Sequence, residues 1–76
     1  MISPTRAHLD QDLQTLQDDL LRLAGLLDLA ISRSLEALAK RDAGLARQVV
    51  ADDAQINALR FQIEENCLAL IATQQP

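Results

Sequence analysis

The chain has 76 residues, 49% of them apolar, with one aromatic and a formal net charge of −4. A chain this short holds at most one small domain and buries only about 60% of its unfolded surface. The acidic balance argues against the basic face of a nucleic-acid binder and against polybasic docking on anionic membrane. The lack of aromatics and of frequent turn residues argues against a β-sandwich or barrel.

In chain order, Ser3-Pro4 reads as a helix start, with Ser as N-cap and Pro at the first helical position. Leu9, Leu13, Leu16, Leu20, Leu23, Leu27, Ile31, Leu35 and Leu38 follow in steps of three and four, which predicts one long helix over about 4–40. Leu21, Leu26 and Leu29 widen its stripe, so more than one helix is expected against it. Gly25 falls mid-helix, either as a tolerated glycine or as a place where a neighbouring helix comes close or the helix bends slightly. Lys40-Arg41 suit the negative end of the helix dipole, and Asp42 suits an N-cap. A short helix over about 43–51 is expected next, with Leu45, Ala46, Val49 and Val50 turned inward. The acidic doublet Asp52-Asp53 then reads as the entrance to a third helix, about 53–74. That helix carries Ile56, Leu59, Ile63, Cys67, Leu70 and Ile71 on one face, and Pro76 stops it. The fold class is therefore all-α: an antiparallel hairpin in which a long helix, a short connector and a second long helix follow one another. Stripes this wide exceed what a hairpin hides, so either self-association, as a dimer, or a further helix is expected.

Candidates for chemistry are few. His8 is the single histidine and sits near the start of the first helix, where an exposed position is expected. Cys67 lies on the apolar stripe with no basic residue within a helical turn, so a buried, inert thiol is expected. One cysteine forms no internal disulfide, and no signal peptide or membrane span is visible, so a cytoplasmic location is expected. There is no glycine-rich phosphate loop and no Glu-x-x-His. Asp53 and Asn57 stand four apart on one helix face. Side-chain oxygens in that arrangement contribute to a hard-cation or iron site when other helices supply more oxygens, and Glu64 and Glu65 follow further along. The plainer reading of Asp53 is a helix cap.

The order of several segments resembles the first repeat of the PhoU family. These are Arg41-Asp42-Ala43-Gly44-Leu45-Ala46-Arg47-Gln48-Val49-Val50, then Asp53-Ala54-Gln55-Ile56-Asn57-Ala58-Leu59, then Ile63-Glu64-Glu65-Asn66-Cys67-Leu68, and finally Ala72-Thr73-Gln74-Gln75-Pro76. His8-Leu9-Asp10, the leucines after it and Ala24-Gly25-Leu26 resemble the family's long first helix. The resemblance covers essentially the whole chain.

The resemblance implies an all-helical protein built from three-helix bundles. It also implies a role as negative regulator of phosphate uptake and the phosphate-starvation response, without enzymatic activity. The implied partners are the phosphate-specific ABC transporter and a phosphate-sensing histidine kinase. Some family members bind iron, zinc or another divalent metal through Glu/Asp-x-x-x-Asp motifs. That motif maps here only to Asp53-x-x-x-Asn57, where Asn replaces a charged ligand. In the family, Gln-Pro leads into a third helix with a stronger acidic motif, so the chain corresponds to part of a full member. The alternative expectation is a small helical oligomerisation module of unrelated function.

Overall fold

The computed structural model describes residues 4–74. Two antiparallel helices account for nearly all of them: α1, Pro4–Lys40, and α2, Ala43–Gln74. The all-α hairpin expected from the apolar periodicity is what forms. It is a slab 59 × 20 × 13 Å, since α1 alone, at 37 residues, reaches about 55 Å. Ser3 and Pro76, read as start and stop signals, lie outside the described residues.

The separate short helix expected over 43–51 does not exist. α2 runs unbroken through Asp52-Asp53. No glycine or proline falls between Gly44 and Gln74 to interrupt the backbone. The two carboxylates find lateral partners rather than capping a new start. Asp52 Oδ2 accepts from Arg33 Nη1 of α1 at 3.2 Å, and its Oδ1 accepts from Gln48 Nε2 at 2.9 Å. Asp53 Oδ2 accepts from Asn57 Nδ2 at 3.1 Å.

The chain reverses over Arg41 and Asp42. Arg41 N–H donates to the Leu38 carbonyl at 3.3 Å, and Asp42 N–H reaches back to the Ala37 carbonyl at 2.9 Å. These paired bonds close α1 as a Schellman motif, whose first residue past the helix must be left-handed. Arg41 takes that place with φ 52°, where glycine is the usual occupant. Asp42 then caps α2: its Oδ1 accepts the Leu45 N–H at 3.0 Å and its carbonyl accepts the Ala46 N–H at 3.1 Å. A Cβ added at Gly44 would sit 3.3 Å from that capping oxygen, which makes the missing side chain useful here. Lys40 Nζ donates to Glu36 Oε1 at 2.8 Å, and this partner raises the Lys40 pKa above its ordinary 10.5.

The helices meet along one heptad seam each. On α1 it holds Leu16, Asp19, Leu23, Leu26, Ala30, Arg33 and Ala37; on α2 it holds Leu45, Val49, Asp52, Ile56, Leu59, Ile63, Cys67 and Leu70. Only Ala37, Ile56, Leu59 and Ile63 fall below a tenth exposure, and among the described residues no polar side chain is buried. The leucine series expected as one seam on α1 is thus split. Leu9, Leu16 and Leu23 turn partly toward α2, whereas Leu13, Leu20, Leu27, Ile31, Leu35 and Leu38 are exposed. On α2, Ile71, Ala46 and Val50 are likewise exposed rather than inward. Gly25 is also exposed, with nothing within 4 Å of a Cβ built on it, so α2 does not come close there.

Candidate interaction surface

The uncovered apolar side chains define the surface most unlike a solvated one. Leu13, Leu20, Leu27, Ile31 and Leu38 are 47%, 48%, 43%, 60% and 78% exposed. They recur at heptad and half-heptad steps, and so line one ridge of α1 roughly a quarter-turn from the α2 seam. At the link end this ridge opens onto an apolar hollow lined by Ser34, Ala37, Leu38, Ala46, Val49 and Val50. The opposite side of the hairpin is more polar, with hollows bordered by Asp12, Thr15, Asn66 and Thr73 and by Arg33, Gln48 and Asp52.

α2 carries a charged outer face. Arg60 Nη1 donates to Glu64 Oε1 at 2.8 Å, and the Arg60 guanidinium lies 5.5 Å from the centre of the exposed Phe61 ring. Asp53 and Asn57 stand on the same helix, both exposed. Their mutual hydrogen bond of 3.1 Å uses the Asn57 amide as donor. Two groups satisfied by each other on one exposed helix face do not by themselves form a metal site. Among the described residues no three His, Cys, Asp or Glu side chains converge to hold an ion. Glu64 is engaged by Arg60 instead. His8 is exposed, and Cys67 is half-buried in the helix seam. The inter-helix Arg33–Asp52 pair was not anticipated from sequence; its signal was two charged residues at seam positions of otherwise apolar heptads.

Comparison with known proteins is decisive for ancestry. The family model described as "PhoU domain" matches residues 20–76. The chain belongs to the PhoU family. The phosphate-specific transport system accessory protein PhoU of Edwardsiella tarda is 31% identical over 72 residues, covering 95% of this chain and 30% of that protein. PhoU homologs of the same description from Pseudomonas putida and Clostridium acetobutylicum are each 35% identical. They match 86% and 95% of this chain and 25% and 33% of their own lengths. The chain therefore spans between a quarter and a third of these PhoU relatives. No solved structure matches it. Among the described residues no helix is long and apolar enough to cross a membrane.

Proposed function

We propose that this chain acts in the negative regulation of phosphate uptake and phosphate-starvation signalling. It would work in the cytoplasm as a non-enzymatic helical module that docks on other proteins. Its partners would be the phosphate-specific ABC transporter and a phosphate-sensing histidine kinase. The observation that carries the reading is family membership across residues 20–76, with relatives named as accessory proteins of phosphate-specific transport. The hairpin, with its large exposed side chains, supports a role in contact rather than catalysis.

The test is genetic and physical together. Deleting the gene in its source organism should switch on a phosphate-starvation reporter in phosphate-rich medium, and restoring the gene should silence it. Cross-linking followed by mass spectrometry should join the chain to transporter or kinase peptides. A silent reporter with unchanged phosphate uptake would overturn the reading. It would leave the second one, a helical oligomerisation module of unrelated function, which the uncovered α1 ridge favours.

A metal role for Asp53 and Asn57 requires oxygens from a helix packed over α2. Asp53→Ala should then lower the iron or zinc bound by the protein in elemental analysis, and unchanged metal would exclude it.

A further inference from the structure

Arg41 stands where a side chain works against the fold. Its φ of 52° is imposed by the Schellman closure of α1 and the immediate start of α2. Those two local features hold the angle whatever else packs on the hairpin. Glycine takes such a position without strain, whereas a residue with a Cβ holds it at a cost. Strained non-glycine positions cluster where a side chain has a use beyond the local backbone.

The hairpin itself makes no use of this guanidinium. Arg41 forms no ion pair among the described residues. The two carboxylates nearest to it in sequence are engaged: Glu36 accepts from Lys40 Nζ at 2.8 Å, and Asp42 Oδ1 accepts the Leu45 N–H at 3.0 Å. Residues 38–50 carry Lys40, Arg41 and Arg47 against Asp42 alone, on a chain whose net charge is −4. The link is thus a basic island on an acidic molecule. Its Arg41 offers a planar fork of N–H donors, which matches a carboxylate through two parallel bonds.

We propose that Arg41 is a docking residue whose guanidinium receives a carboxylate from an acidic segment of another protein. This rests on the docking role proposed above and names the chemistry of the partner. The acidic remainder of the chain repels such a segment and so directs it to the link. Nucleic acid or anionic membrane would need a wider basic face than one link presents.

Arg41→Gly separates docking from folding, because it removes the contact and relieves the strain together. A photoreactive benzophenone residue at the exposed position 43, beside the link, reads the contact in cells of the source organism. The adduct should map to a segment of another protein rich in Asp and Glu. Arg41→Gly should lower its yield by about tenfold, the loss of one charge-assisted contact, and Arg22→Gln should leave it unchanged. Arg41→Glu should abolish it, and Lys in place of the segment's carboxylate should restore it. Adducts only within the same polypeptide, a segment without carboxylates, no adduct, or a yield indifferent to Arg41→Gly would each overturn the proposal. The reporter keeps the two readings apart. If the native gene and Arg41→Gly silence it equally, the docking residue falls and phosphate regulation stands. If the native gene does not silence it while the adduct still depends on Arg41, regulation falls and the docking residue stands.

Discussion

Replacing Arg41 by glycine should stabilise the hairpin. Arg41 holds φ 52°, and a left-handed residue with a Cβ costs about 1–2 kcal/mol. Glycine removes that cost but brings about 0.5–1 kcal/mol of extra chain entropy in the unfolded state. The guanidinium lies just past the C-terminus of α1, where a cation contributes a few tenths of a kcal/mol through the helix dipole. The balance is a net gain of about 0.5 kcal/mol for Arg41→Gly. Arg41→Ala keeps the backbone cost and loses the charge, so it should be neutral or slightly destabilising. Urea unfolding followed by circular dichroism, at fixed chain concentration, separates these outcomes. With a slope of about 1 kcal/mol/M for a protein of this size, Arg41→Gly should raise the midpoint by about half a molar. A midpoint lowered by Arg41→Gly to the Arg41→Ala value or below would refute the reasoning. It would mean that the side chain outweighs the strain.

Other outcomes follow from the same structure. Ile63→Ala, at a site 6% exposed in the helix seam, should cost about 2–4 kcal/mol in urea unfolding, a large share of what so small a core supplies. Asp42→Ala removes the acceptor of the Leu45 N–H and should cost about 1 kcal/mol, whereas Asp42→Asn, which can still cap, should cost much less. Because Glu36 raises the Lys40 pKa, the stability from this pair is fully present below pH 10.5. It is lost as pH rises through the raised folded value. A thermal-melt series across that alkaline window should show the loss in the native chain and not in Glu36→Gln.

Much of this fold was legible in the order of residues, and the exceptions have physical causes. Helix type followed from steps of three and four and from the rarity of glycine and proline. The Asp42 cap followed from a short acidic side chain placed just after the last cation. The assignment of leucines to a seam did not follow. α1 carries leucines on two adjacent faces, and periodicity marks a face without saying which partner covers it. The charged members of the true seams, Arg33 and Asp52, hid it further, since each looks like a solvent residue until the other is found across the interface. The doublet Asp52-Asp53 suggested a boundary because carboxylates favour helix starts. Here Arg33, Gln48 and Asn57 absorb them within one continuous helix. Family membership was readable from the order of motifs. Asp53 and Asn57 do fall on one helix face as their spacing requires, but shared placement alone brings no third ligand.

The two-residue link also dictates how the chain finds its fold. The helices reverse at Arg41 and Asp42, so the pairs across the hairpin nest around that point. Arg33 meets Asp52 at a separation of 19, and more distant pairs enclose those already made. Each new pair therefore lengthens the loop being closed by only a turn or so of helix on either side, at little further entropic cost. Assembly can run as a zipper from the link outward, with no search between remote parts of the chain. The last closed end, around Leu16 and Leu70, is by the same logic the first to open.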